Sequence, residues 1–404
     1  METKVYSHGR LRAFLNILAG NPAFLWLSLA LAVRLLAGTA LHFYSVSRGL
    51  EGFYPLSIAD DRMYWDQAQS LLAGATPERI FCPYPYVLAA LFTLVGPSLA
   101  AGKLLSVVSG SLTVCIGVLI ARELTAGRSY NRRDLRHPVN LTGLLLALYP
   151  SAVFHSTQML RDALVVLSGI LAVYFAVLAV GGKERRWLWP GYGLALALFY
   201  GFRPYAAFAL AFGLSLYLIF LRRKAVTVFA SLLAALTAPW LAGWGPFAWH
   251  YVASYLFAPE TVSSFREEVY AVGGSAIGVT VDFTSIYGFL WTYSYSFLTA
   301  MFGPFVWQVR SPVVAIGLLE ALPVLLLVPV WLTGIWRLLR RQEGSAGFLL
   351  LLSLLQVGAI ALFSANIGAN LRLRLLPWTV FLIYAALRLG QKQPQPEAKR
   401  EFLP

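Results

Sequence analysis

The stretch PAFLWLSLALAVRLLAGTALHFY, Pro22 to Tyr44, decides the fold. Its 23 residues carry one charge, Arg34. A helix needs about 20 apolar residues to cross a bilayer, with a range of about 17–25. The run is too long for the apolar core of a signal peptide, although the basic Lys4, Arg10 and Arg12 precede it. It therefore reads as an uncleaved first span. The rest of the chain agrees. Hydrophobic residues make up 58% of the 404 and charged residues 12%, against about 25% charged in a soluble domain. No single soluble core hides that much apolar surface, so the bilayer is the expected solvent.

Further apolar runs of spanning or near-spanning length lie at 98–121, 139–156, 162–181, 187–201, 204–221, 225–244, 313–336, 346–363 and 375–390. Two more, 84–96 and 287–308, are rich in Pro, Gly, Tyr and Trp and suit helices lying at the interface. The fold expected is all-α and polytopic, with about ten transmembrane helices (10–12). The net charge of +14 raises nucleic acid as a partner. The basic residues instead form short clusters between apolar runs, which excludes nucleic acid in favour of membrane topology. With the N-terminus inside, ten spans put Arg122–Arg136, Lys183–Arg186, Arg222–Lys224, Arg337–Arg341 and the tail on the cytoplasmic side. Two outer loops follow, about 45–97 and 245–312. The membrane domain covers 1–390, and 391–404 reads as a disordered cytoplasmic tail. Cys82 and Cys115 have no metal-site or disulfide-framework spacing.

The scarce acids gather on the outer side. In ADDRMYWDQAQSLLAG, Ala59 to Gly74, three of the chain's 18 acidic residues fall within seven positions. The pattern predicts a short amphipathic helix with Tyr64, Ala68, Leu71 and Leu72 on one face and Gly74 as its C-cap. The plain reading is that Asp60 and Asp61 cap that helix and complement its dipole.

Three motifs add a second reading. Asp60-Asp61-x-x-Tyr64 is followed by a small-residue helix ending in Gly, then by the Pro-rich run around Tyr84-Pro85 and a span with Lys103 near its start. YPSAVFHSTQMLRDALVVL is a proline-bearing span followed by Asp162, and NLRLRLLPWTVFLIYAAL sets Arg372 and Arg374 before Pro377. This layout resembles the GT-C superfamily of membrane glycosyltransferases. The branch it looks most like holds the protein O-mannosyltransferases and the lipid A aminoarabinose transferases. Aspartate stands second in the acidic pair where many members have glutamate, and Lys103 stands where many have arginine. Many members also carry a soluble C-terminal domain, which this sequence does not show.

The resemblance implies transfer of a sugar from a polyprenyl-phosphate donor to a glycan, lipid or protein acceptor on the extracytoplasmic face of a prokaryotic plasma membrane. The resemblance makes Asp60 the candidate general base and Asp61 its partner, and that chemistry needs a carboxylate whose proton affinity is raised. The departing phosphate needs cations, and arginine grips two oxygens at once. Arg372 and Arg374 lead, then Arg203, Arg161 and Lys103, with Tyr64 and Asp162 completing the substrate-binding set. The bland alternatives are an Arg161–Asp162 local pair and a snorkelling Arg203. No cofactor is fixed by the sequence. A divalent cation (Mg or Mn) held by the aspartate pair with Asp162 or His155 is an alternative, short of the several oxygen ligands such ions want. Glu320 and Arg34, inside spans, are candidate functional or paired residues. The rival functions are a lipid-linked-sugar transporter or flippase, a glycan polymerase or ligase, and a non-catalytic scaffold.

Overall fold

The computed structural model describes residues 21–53, 60–75, 82–126, 134–180, 187–218, 281–309 and 312–390, with isolated positions at 77, 80, 262, 263, 266, 277 and 279. Among the described residues the chain is all-helical, without a β-strand. An apolar chain in a bilayer has no water for its backbone groups, and helices satisfy them internally.

The helices run α1 Pro22–Ser47, α2 Asp60–Leu72, α3 Tyr84–Val95, α4 Leu99–Leu124, α5 Pro138–Leu148, α6 Pro150–Ser156, α7 Asp162–Val180 and α8 Leu188–Phe202. They continue with α9 Pro204–Tyr217, α10 Ile286–Phe302, α11 Pro312–Leu325, α12 Val328–Leu339, α13 Ala346–Phe363, α14 Ile367–Leu373 and α15 Leu375–Leu389. Four of them, α1, α4, α7 and α13, are long and apolar enough to cross a membrane. The chain is thus compatible with a multi-pass membrane protein.

The other expected spans are shorter, and proline explains most of them. A proline lacks the N–H and clashes with the carbonyl four residues back. It also pushes the residue before it out of helical geometry. Pro150 therefore splits the run 139–156 into α5 and α6 at Tyr149. Arg203, extended at φ −154° and ψ 82°, separates α8 from α9 ahead of Pro204. The run 313–336 divides into α11 and α12 around Leu326 and Leu327, and 375–390 becomes the 15-residue α15. The expected span 225–244, the tail, and much of both expected outer loops lie outside the described residues. The two runs expected at the interface form the 12-residue α3 and the 17-residue α10. On α10 Ile286, Tyr287 and Trp291 are exposed.

Caps set the helix starts. Asn21 accepts from the Ala23 N–H to open α1, and Ser98 accepts from the Ala101 N–H to open α4. The helix α2 ends as expected, with Gly74 left-handed at φ +75°. Helix α4 sits among α1, α5 and α7, while α15 is buried from Leu375 to Leu387. Arg266, 1% exposed, donates to the Ala361 and Leu362 carbonyls at the end of α13 and to Ser296 on α10. It meets carbonyls that the helix end leaves unpaired.

Close approach of α1 and α5 depends on one glycine. A Cβ at Gly143 would lie 2.2 Å from the Trp26 ring, whose Nε1 donates to Asn140 at 3.3 Å. Gly143→Ala is expected to cost about 1–3 kcal/mol through overpacking. A thermal melt in detergent checks this; an unchanged midpoint would show that the two helices do not pack there.

Candidate active site

The site is assembled at the end of the bundle where α4, α7 and α9 begin. Asp162, the first residue of α7, is wholly buried. Its Oδ1 accepts from Arg203 Nη2 at 2.8 Å. Its Oδ2 accepts from Arg372 Nη2 at 2.8 Å and Nε at 3.1 Å. The remaining Arg372 nitrogen, Nη1, donates to Asp60 Oδ2. One guanidinium thus joins carboxylates from α2 and α7, and a second arginine from the α8–α9 break closes the set. The proline-induced break at Arg203 and the short α14 before α15 supply the turns that bring these residues to one place.

Exposure divides the cluster. The Asp162 and Arg203 side chains are 0% and 7% accessible, while Asp60 and Arg372 are 33% and 20% accessible. Asp60 and Arg372 therefore face an approaching molecule, and Asp162 and Arg203 stand behind them.

Arg161 precedes Asp162 but does not pair with it as a local ion pair. Among the described residues no carboxylate comes within 4.0 Å of its guanidinium, and its buried Nε has no hydrogen-bond partner. Burial opposes its charge, yet Tyr64, Cys82 and Asp162 outweigh that and hold it above the ordinary arginine range. Tyr64 is buried edge-to-face on Tyr84 at 5.0 Å. Burial first, then the negative groups around it, pushes its hydroxyl well above the ordinary tyrosine range against the pull of Arg161. Tyr64 is therefore a neutral phenol here, not a base. Among the described residues, the carboxylates of Asp60 and Asp162 face the three guanidinium groups of Arg161, Arg203 and Arg372. One positive charge is left over.

The acidic pair splits between two jobs. Asp60 points to Arg372. Asp61 is 1% exposed, accepts from the Arg62 N–H at 2.9 Å and attracts Lys103. Lys103 Nζ donates to the Gly52 carbonyl. Asp61 and Lys103 thereby tie α2 and the turn after α1 to α4, behind the cluster. His155, also buried, lies within electrostatic reach of Arg372 and Asp162.

Three sequence expectations change. Arg203 does not snorkel to the surface; its fully buried partner holds it inside. Arg374 does not join the cluster. It is 1% exposed, donates Nη2 to Glu320 Oε1 at 2.9 Å and Nη1 to the Gly303 carbonyl, and lies against Trp378. Glu320 in turn accepts from the Ser151 N–H at 2.9 Å. This separate, buried pair keeps Arg374 out of reach of an approaching phosphate. Nor do the residues fit a divalent cation: among the described residues no group of three or more His, Cys, Asp or Glu is placed to hold a metal. Between Asp60 and Asp162, where a cation would sit, stands the Arg372 guanidinium. Tyr84 and Cys82 escaped the sequence reading as site neighbours, and only their position just after α2 in a Pro-rich run pointed to them.

Compared with family models, curated proteins and solved structures, the chain shows no match, so the chemistry of this site rests on its own geometry.

Proposed function

We propose that the chain is an integral membrane glycosyltransferase of GT-C type. It moves a sugar, with inversion, from a polyprenyl-phosphate donor to a glycan, lipid or protein acceptor at the extracytoplasmic face of a plasma membrane. The observation that carries this reading is the reachable Asp60–Arg372 pair beside Arg161, a cation with no carboxylate within 4.0 Å among the described residues. A base and a surplus positive charge side by side are what transfer from a sugar phosphate needs. The positive-inside distribution of basic residues supports the outer location.

In this reading the donor phosphate meets Arg161 and the open edge of Arg372. As it takes Nη1 of Arg372, it releases the Asp60 carboxylate. Asp60 then accepts the acceptor hydroxyl proton while the acceptor oxygen attacks the anomeric carbon opposite the phosphate. The anomeric C–O bond to phosphate breaks, and the polyprenyl phosphate leaves with that electron pair. A single displacement inverts the anomeric centre. Arg203 and Asp162 hold Arg372 in place, and Tyr64 donates a hydrogen bond.

The test is direct. Protein in nanodiscs is given a panel of polyprenyl-phosphate-linked radiolabelled sugars and membrane acceptors, and transfer is counted. Transfer from one donor supports the reading; a folded protein inert across the panel would favour the transporter or scaffold. Within an active system, Arg161→Gln is expected to lower kcat/KM for the donor by about 10–100-fold. That corresponds to losing a charged hydrogen bond of about 1.5–3 kcal/mol. Arg161→Lys should retain part of it, and equal rates for all three proteins would remove Arg161 from the phosphate site.

A further inference from the structure

A second charged site lies deeper, on α1. Arg34 is midway along that 26-residue helix, about 18 Å from either end at 1.5 Å per residue. It is 1% exposed. Its Nε donates to Ser156 Oγ at 2.9 Å, and Nη1 to the Ala30 and Ala147 carbonyls at 3.3 and 3.5 Å. Among the described residues no carboxylate lies within 4.0 Å of it. Asp162, on the cavity wall, is already committed to Arg203 and Arg372, and the buried Glu320 to Arg374. A lone cation at this depth is costly and normally finds a counter-charge.

The fold makes room beside it. A Cβ at Gly110 would lie 2.5 Å from Ser156 Cβ and 2.9 Å from Arg34 Nε, so only glycine admits the guanidinium there. Next to Arg34 is a cavity of about 20 Å³, on whose wall stand Thr113, Tyr149, Ser156, Thr379 and Asp162. That volume suits one small species and excludes a phosphate. A water would hydrate Arg34 but leave its charge unmatched. A monovalent anion does both. Thr113, Ser156 and Thr379 already donate their hydroxyl protons to backbone carbonyls, which leaves the Tyr149 hydroxyl to face it. The Asp162 charge on the same wall is outweighed by the three arginines around that residue.

We propose that this cavity binds a single halide-sized anion, chloride by class, held by Arg34 and the Tyr149 hydroxyl. The anion would lock α1 against α4 and against α6, the helix that leads into Arg161 and Asp162. It does not depend on the glycosyltransferase reading.

The full chain in nanodiscs is melted in sodium bromide and in sodium gluconate at equal ionic strength, as wild type and as Arg34→Gln. The wild type is expected to melt about 3–5 °C higher in bromide, and Arg34→Gln to show no such rise. Equal wild-type midpoints in the two salts would overturn the site. So would a rise of the same size in Arg34→Gln, which would assign the effect to the arginines at the helix ends. Should Arg34→Gln fail to fold, bromide-soaked crystals of the wild type decide: anomalous density beside Arg34 supports the site, and its absence refutes it.

Discussion

Asp60→Asn is expected to lose about 10²–10⁴-fold in sugar transfer while melting close to the wild type. The substitution keeps the side chain's size and an oxygen that still accepts from Arg372 Nη1, so the contact to the cluster survives. Asp60 is also one-third accessible, and its partner Arg372 retains the fully buried Asp162. What the amide cannot do is take a proton. Asp60→Glu should recover part of the activity, since it restores a base with a displaced carboxylate. The measurement is initial-rate transfer of radiolabelled sugar, with melts run on the same preparations. Wild-type transfer by Asp60→Asn would make Asp60 only the first-turn acid of α2 and a counter-ion of Arg372. The glycan polymerase or ligase reading, which needs outer-face arginines but no such base, would then move ahead.

The sequence carried the membrane class and the helix starts, because both depend on local signals. A 23-residue apolar run is long enough by itself, and Asn21 and Ser98 cap from within the next three residues. It carried less of the span count. Pro150 and Pro329 sit inside apolar runs that hydropathy alone joins, and a break in the backbone leaves no mark on average hydrophobicity. The site was legible as a set of residue types at one end of the bundle and not as a set of partners. Arg372 and Arg374 look equivalent in the sequence, two positions apart at the end of one short helix. Only tertiary packing sends the first to Asp60 and Asp162 and the second to Glu320. Likewise Asp60 and Asp61 read as a pair, yet neighbouring positions on a helix point about 100° apart. One meets the cluster and the other turns toward α4.

Asp162→Asn is expected to act in the opposite way, on the fold before the chemistry. Asp162 has no accessible surface and pairs with two guanidinium groups at once. Replacing it leaves Arg203 buried against a neutral amide, and breaking one partner of a buried ion pair typically costs about 3–5 kcal/mol. Arg372 suffers less, because Asp60 still meets its exposed edge. Arg203→Met alone should also destabilise, since it strands one oxygen of the buried carboxylate. If the two side chains act as one unit, the double variant costs less than the sum of the singles by at least about 1 kcal/mol. Melts or denaturant unfolding of all four proteins in one detergent measure that difference. Additive costs would mean that Asp162 and Arg203 do not interact, and Arg372 would then be held by some other contact. A clear coupling, set beside an intact fold in Asp60→Asn, would divide the cluster physically. The buried half positions Arg372, and the accessible half is where a proton and a phosphate can be met.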